Sequence, residues 1–445
     1  MPACGNRTLT VSGDTAPTII LHIWFPSTHR TSEGNVGMAL QTLQAHDADG
    51  DDWTAGEEVV AKAASAVPWL LDQAGRVDRD RTIPDDVAAA LIETGIFRLA
   101  QPRRFGGMGA SPSLMWRAVF EIARGCASCA WISGLTCANL LVVGRFSEAA
   151  QQEVFAPDSS PVVPLLTGGV GHDIKTETRD DGIMLSGKWR YASGIDLASW
   201  VGLLVNPAPT DGRAEPVLVL VPADAFTIDH DSWHVIGMRG TGSKNIVLES
   251  AFVPHHRMMD WAALQVGEKH ASCPNDEPAY RFPLNALLAM SVIAPTLGVA
   301  SAVAEEYAAI VSQRVQSNGQ GKQVADRSSH VDLAAGIATM DMLRNVLITE
   351  VEAIERKVER GQTLSLEDRA LLRMKIAIAA RKGLSVAQEL FAGVGGSLLP
   401  EGTRIERQFR DLHAMSSHFL LQPDPIGEAY GRLLLGLDLP AGARL

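Results

Sequence analysis

The chain has 445 residues, 46% of them hydrophobic and 20% charged, which is enough for two or three packed units. Its formal net charge of -12 comes with no long basic run, which argues against nucleic acid as a partner and for small-molecule chemistry. Five cysteines (Cys4, Cys126, Cys129, Cys137 and Cys273) are an odd count for so long a chain, so a reducing cytoplasm is expected rather than a disulfide framework. No stretch is read as approaching the roughly 20 apolar residues that span a bilayer.

Residues 1–50 read as an extension with no fixed fold, being rich in Thr, Ser and Gly before Met38 and lacking a helical period. Its apolar run Thr18 to Phe25 is too short for a signal segment. From Glu57 the apolar residues Val59, Val60, Ala63, Val67 and Leu70 recur at three and four, which predicts a helix that Pro68 kinks or breaks. A second helix opens at Pro84-Asp85-Asp86 and closes at Gly95. Further helices over Ser113–Arg124, Cys129–Val143 and Ser147–Phe155 complete an N-terminal helical domain, residues 51–160. Cys126-Ala-Ser-Cys129 has the spacing of a redox or zinc pair. With no second pair or nearby histidine it reads as core packing, and no metal site is expected.

Between residues 161 and 270 the texture changes to short β-rich runs: Val162–Leu166, Gly182–Tyr191, Trp200–Val205, Val217–Val221 and Asn245–Glu249. Such spacing predicts a middle antiparallel β domain, barrel or sandwich. In the second run Trp189 and Tyr191 alternate with Lys188, Arg190 and Ala192, so one face should be packed. Ser193 and Gly194 end it, and Ser193 could donate or accept one hydrogen bond. The Gly-rich run Gly237-Met238-Arg239-Gly240-Thr241-Gly242-Ser243 lacks the strand and helix of a phosphate loop and reads as a tight structural loop.

Residues 271–445 return to long helices, Leu284–Gln316, Asp326–Gly361, Leu366–Gly393 and Arg404–Leu421, which predict a C-terminal four-helix bundle. The face from Leu287 to Ala304 is too apolar for a solvated helix, and subunit packing is expected to bury it. His413 and His418 sit on the last helix, about 500° apart at 3.6 residues per turn, so only one can face a given pocket. Either is by default a core histidine. Arg314 reads as a solvated helix residue, and Gly393-Val394-Gly395-Gly396-Ser397 as a helix cap.

Three runs together carry a resemblance: Ser186-Gly187-Lys188-Trp189-Arg190-Tyr191-Ala192-Ser193-Gly194, the Gly237–Ser243 loop, and Arg410-Asp411 with His418 eight residues after the Arg. They resemble the hydroxylase components of two-component flavin-dependent monooxygenases, the oxygenase branch of the acyl-CoA dehydrogenase fold. The resemblance covers residue 57 to the end and implies an α+β fold in the order helical domain, β domain, bundle. It implies that Ser193 bonds the flavin N5 and that His418, close to the flavin C4a edge, steadies a C4a-hydroperoxide and takes the substrate proton. Thr167 and Gly168 come to the pyrimidine edge in relatives, Arg314 to the phosphate of a neighbouring subunit's flavin, and Gly396 and Ser397 to the flavin as well. Trp131 lies over the cofactor or fills core. Asn139 stands where many relatives carry a histidine and offers a hydrogen bond but no base.

The activity so implied is hydroxylation of a phenolic or polycyclic aromatic, with reduced FMN preferred to FAD. A separate NAD(P)H-dependent flavin reductase would supply it, since no Gly-x-Gly-x-x-Gly unit stands between a strand and a helix. A homotetramer is implied too. The alternatives are N-hydroxylation of an amine or amino sugar, and acyl-CoA dehydrogenation. For the latter, Glu401, Glu406 and Glu428 are present but no Tyr-Gly-Thr-x-x-Glu segment.

Overall fold

A computed structural model describes residues 50–155, 160–167, 171–207, 215–314, 323–398, 400–440, 442–443 and 445. The extension read over residues 1–50, including Thr18–Phe25, lies outside the described residues but for its last position. Helices come first: α1 (Gly50–Asp80), α2 (Asp85–Glu93), α3 (Ile96–Ala100), α4 (Pro112–Gly125), α5 (Ala127–Val143) and α6 (Glu148–Val154). Pro68 does not end α1, which continues through it. Proline forfeits one backbone bond, and the turns on either side are held by Ala63 and Leu70, which are buried in the core. Cys126 and Cys129 are buried in that same core.

Two four-stranded sheets follow, built from β1 (Leu165–Leu166), β2 (Gly171–Arg179), β3 (Gly182–Ala192), β4 (Trp200–Val205), β5 (Val217–Pro222), β6 (Thr227–Asp229), β7 (Lys244–Pro254) and β8 (Met258–Asp260). The strand orders are β1-β4-β5-β8 and β2-β3-β7-β6. Leu185, Trp189, Val201, Leu203, Val219 and Ile246 share one buried cluster drawn from both sheets. The sheets are not wholly antiparallel, because β1 runs parallel to β4. The sequence pattern missed β2, whose residues are mostly polar and exposed, and the three-residue strands β6 and β8.

The period-two reading of β3 also stops early. Three steps on β3, Trp189 to Ala192, oppose two on β7, Ile246 to Lys244, which is a β-bulge. Tyr191 takes up the extra residue in a left-handed conformation, φ 64°, and is exposed where Trp189 is fully buried.

After α7 (Trp261–Val266) come α8 (Leu284–Gln313), α9 (Arg327–Glu359), α10 (Leu366–Gly393), α11 (Arg404–Ser416) and α12 (Pro423–Leu434). The bundle therefore has a fifth helix, α12, and α11 stops short of His418. The largest correction concerns α8. It is long and apolar enough to cross a membrane by length and composition, contrary to expectation, yet nearly all of its apolar stretch is buried inside the chain. Helices α4, α5, α10 and α11 cover it, so the Leu287–Ala304 face needs no second subunit to leave water. Each fully buried Leu or Ile there contributes about 1.5–3 kcal/mol.

Helix α4 has an unusual cap. Ser111 at its N-cap position makes no side-chain cap, and Glu355 of α9 instead accepts the Ser113 N–H at 2.5 Å. Burial pushes the Glu355 carboxyl up to about 8, with Glu359 and Glu352 adding to the rise. A carboxyl raised in the folded state is protonated there while its unfolded counterpart ionises near 4.5, so its contribution is complete below that value and is lost as pH rises towards 8. Glu355→Gln keeps the acceptor and removes the titration. Its melting temperature should match the wild type at pH 4.5 and exceed it at pH 9; equal temperatures at both would show that Glu355 does not titrate in this way.

Candidate active site

A cavity of about 650 Å³ opens where α5, the loop after β1, the end of β3, the Trp233–Ser243 loop and the residues after α11 converge. That volume lies within the range of about 300–1,000 Å³ usual for small-molecule sites. Among its lining residues are Trp131, Asn139, Thr167, Ser193 and His418, drawn together from across the chain. Leu135, Leu165, Leu166, Leu288, Met415 and Leu420 make most of the wall apolar. Among the described residues no carboxylate lines it, and Arg190 is its one side chain with a permanent charge.

The bulge in β3 sets the geometry on the sheet side. It turns Arg190 and Tyr191 to the cavity and delivers Ser193 just beyond the strand, where Gly194 N–H donates to the Thr241 carbonyl at 2.8 Å. Tyr191 meets Trp233 edge to face with ring centroids 6.5 Å apart. Ser193 Oγ lies 2.7 Å from Ser243 Oγ, which lies 2.7 Å from Thr241 Oγ1. The loop that the sequence presents as merely structural is therefore a cavity wall. Trp233, Ile236, Met238, Thr241 and Ser243 all line it. The signal that could have found them was the loop's small hydroxyls, Thr241 and Ser243, beside glycines.

Helix α11 fastens that loop. Asp411 Oδ1 accepts the N–H of Met238 at 2.6 Å, and Arg410 Nη1 donates to the Ile236 carbonyl at 2.6 Å. Arg410 also pairs with Asp78 of α1 at 3.1 Å and with Glu406. A Cβ at Gly237 would stand 2.3 Å from the Arg410 carbonyl oxygen, so only glycine permits this approach. Met238 holds a left-handed φ of 57°, a strained value for a side-chain-bearing residue that the Asp411 bond helps to keep. Burial pushes the Asp411 carboxyl up to about 7.

His418 lies beyond α11, at the start of the 3-10 turn Phe419–Leu421, rather than on the helix. Its Nδ1 accepts the Leu420 N–H at 3.4 Å, and its ring meets Trp131 edge to face at 5.3 Å. Buried Arg373 of α10 donates to the Leu420 carbonyl at 3.2 Å, behind the same turn. Desolvation, with the Arg373 charge second, lowers the His418 pKa to about 4. The ring is thus neutral at pH 7, and with Nδ1 accepting, its proton sits on Nε2. His413 lies elsewhere, its Nδ1–H donating to the Phe409 carbonyl at 2.8 Å.

On α5, Trp131 is packed into the core and also lines the cavity. Asn139 donates its Nδ2 to the Val163 carbonyl at 2.8 Å, while its Oδ1 is buried without a partner. An orphaned acceptor on a cavity wall is open to a donor from water or from a ligand. Not every expected residue is here. Arg314 caps the far end of α8, with its guanidinium about 3.1 Å from where a Cβ on Gly395 would be. Together with the Gly396–Leu398 turn it forms a second place, off the cavity within one chain. Gly168 and the Ser397 side chain lie outside the described residues.

Comparison with known proteins decides the family. Residues 58–159 match the acyl-CoA dehydrogenase N-terminal domain and residues 290–423 its C-terminal domain. The oxygenase subunit HsaA of a flavin-dependent monooxygenase from Rhodococcus jostii is 31% identical over 84% of this chain and 97% of its own. This chain belongs to the oxygenase components of the flavin-dependent monooxygenases. The oxygenase component of the FADH(2)-dependent resorcinol hydroxylase from Rhizobium sp. is 29% identical over 85% of this chain and 94% of its own. The crystal structure of 3-HSA hydroxylase from Rhodococcus sp. RHA1 superimposes with a TM-score of 0.79 and 30% identity, covering 86% and 98% of the two chains. The oxygenase component is thus an α+β enzyme of the acyl-CoA dehydrogenase fold, an oxidoreductase that depends on flavin.

The cavity fits a flavin: it is roomy and largely apolar, with a hydroxyl at Ser193 and orphaned Asn139 Oδ1 on its walls. If the clamp on the Trp233–Ser243 loop shapes that site, Asp411→Ala should weaken flavin binding about tenfold, the weight of one hydrogen bond. Asp411→Asn, which keeps an acceptor for Met238 N–H, should bind as the wild type does in the same fluorescence titration.

Proposed function

We propose that this oxygenase component hydroxylates a small aromatic substrate, with Ser193, Asn139 and His418 as the polar contacts of an otherwise apolar site. The carrying observation is the wall of the cavity, which is apolar and free of carboxylates among the described residues. Dehydrogenation of an acyl thioester needs a carboxylate base, and among the described residues no such group faces this cavity. An amino sugar held through a nucleotide needs several cations for its phosphates, and among the described residues Arg190 is the one permanent cation lining the site. A phenol or larger aromatic needs an apolar slot and one or two hydrogen-bond partners, which the cavity supplies. The relative named as a resorcinol hydroxylase acts, by its name, on such a compound.

Reduced flavin, when bound, activates dioxygen and supplies one oxygen atom to the substrate, the other leaving as water. Ser193 would meet the flavin edge, with Thr167 and Trp131 completing its seat. His418 acts as a donor through Nε2–H, steadying negative charge on oxygen in a site shielded from water, where such bonds count for most. Its pKa of about 4 makes it a poor proton acceptor at neutral pH, so its part is to donate. Asn139 Oδ1 is placed to receive a donor such as a substrate hydroxyl.

The flavin we assign is FMN, delivered reduced by a separate NAD(P)H-dependent reductase. A relative named for FADH2 makes a binding comparison between the two reduced flavins the deciding measurement. For the phosphate we assign Arg314, with the Gly396 and Ser397 turn, acting on the flavin of a neighbouring chain, because a guanidinium fork suits a phosphate dianion.

His418→Ala should lower hydroxylation about a hundredfold, the scale of losing one preorganised donor. Flavin reoxidation should continue, releasing hydrogen peroxide in place of product. No rate limb near pH 6.5 should trace to His418; one at that position that vanishes in His418→Ala would mean the ring titrates normally and is no fixed donor.

A neighbouring chain requires an interface, and α9 supports one. Val331, Ala335, Ala338, Met342, Val346 and Thr349 lie on one line of the helix, uncharged and exposed, Met342 to 60%. We assign this stripe to the contact between copies in a homotetramer. Sedimentation should find a tetramer for the wild type and smaller species for Met342→Glu; an unchanged tetramer would place the contact elsewhere.

A further inference from the structure

The geometry points to Thr241 and Ser243 as positioning residues that make Ser193 a one-way hydrogen-bond acceptor, so that the cavity distinguishes reduced from oxidised flavin. The inference rests on the reading that Ser193 meets the flavin at N5, and adds to it the direction of every hydrogen in a chain of hydroxyls that runs from buried Thr241 and Ser243 to half-buried Ser193.

The chain starts from a group that can only accept. Thr241 Oγ1 lies 2.8 Å from the Met238 carbonyl oxygen, and so commits its hydrogen there. Ser243 Oγ, 2.7 Å from Thr241 Oγ1, must then supply the hydrogen between those two. Ser193 Oγ, 2.7 Å from Ser243 Oγ, must in turn donate to Ser243. With its hydrogen spent, Ser193 presents only lone pairs to the cavity. Reversing the chain would leave Thr241 Oγ1 and the Met238 carbonyl facing one another without a hydrogen. Thr241 and Ser243 are both buried, and no other side-chain partner from the described residues relieves either.

The anchor is itself fixed. Met238 is held in its left-handed conformation with its N–H on Asp411, and its carbonyl also receives the Thr241 N–H at 3.1 Å. A hydroxyl free to rotate would serve either flavin state, whereas a polarised one does not. Reduced flavin carries a hydrogen on N5 and oxidised flavin a lone pair. An acceptor at Ser193 bonds the first and opposes the second. The relay therefore favours the form the reductase delivers and helps to release the form left after turnover.

The test is an anaerobic titration with dithionite-reduced FMN and an aerobic one with oxidised FMN, compared as the ratio of dissociation constants. Wild type should favour reduced FMN. Ser243→Ala and Thr241→Val interrupt the relay and let Ser193 donate, so the ratio should fall about tenfold, mainly through tighter binding of oxidised FMN. Thr241→Ser keeps the relay and should keep the wild-type ratio. The midpoint potential of the bound flavin should fall in the two interrupted variants and hold in the third. If Ser193→Ala leaves the ratio unchanged, the contact between Ser193 and N5 is wrong. If Ser193→Ala shifts it while Ser243→Ala and Thr241→Val do not, the contact stands and the relay is overturned.

Discussion

The rest of the site depends on the grip of Arg410 and Asp411 on the Ile236–Met238 backbone. Two hydrogen bonds of 2.6 Å join a helix of the C-terminal region to a loop of the β region, in a place where Gly237 lets the two backbones nearly touch. Both walls of the cavity are built from this junction. On one side the loop carries Trp233, Thr241 and Ser243 against Ser193. On the other the chain leaving α11 brings His418 to face them. The spacing of eight residues between Arg410 and His418 has a physical meaning in this light. The helix spends its length on holding the loop, and one further turn returns the chain to the cavity with a histidine.

Electrostatics at the junction are arranged for closeness rather than strength. Asp78, Glu406 and Asp411 crowd around Arg410, and the buried Asp411 carboxyl is pushed up to about 7 by desolvation. A buried cluster of this kind contributes little net stability, yet removing one member leaves the others uncompensated. Such a cluster fixes one arrangement of the loop. His418 is treated in the opposite way, kept from charging by burial and by the Arg373 cation behind its turn. Acids hold the frame and a neutral ring faces the reaction. The separation is spatial, since no carboxylate among the described residues reaches the cavity wall.

Helix α8 shows how the frame is made stiff enough for this. Its apolar stretch is surrounded by α4, α5, α10 and α11, so the amino-terminal and carboxy-terminal helices share one core. Trp131 and Asn139 on α5 and His418 after α11 are positioned against the same central helix, which contributes Leu288 to the cavity floor. An error in the packing of α8 would therefore move the wall on both sides together.

The sequence by itself determined the order of helical, β and helical regions, because amphipathic period and breaker residues are local properties. Ser193 and His418, which by pattern alone read as a strand cap and a core histidine, were marked only by the resemblance of their short runs to a known family. The sequence could not determine what surrounds them. The apolar face of α8 reads from the sequence as a subunit interface, and only the folded chain, which places four helices around it, shows it to be core. The Trp233–Ser243 loop reads as a structural turn because its role depends on Arg410 and Asp411, some 170 residues away in sequence. The bulge at Tyr191 was invisible because period two cannot be told from a broken period until β7 is laid beside β3. Most of all, a serine hydroxyl in a sequence is donor and acceptor alike. Its direction is settled by which neighbours have already used their hydrogens, and those neighbours, Ser243 and Thr241, meet Ser193 only in three dimensions.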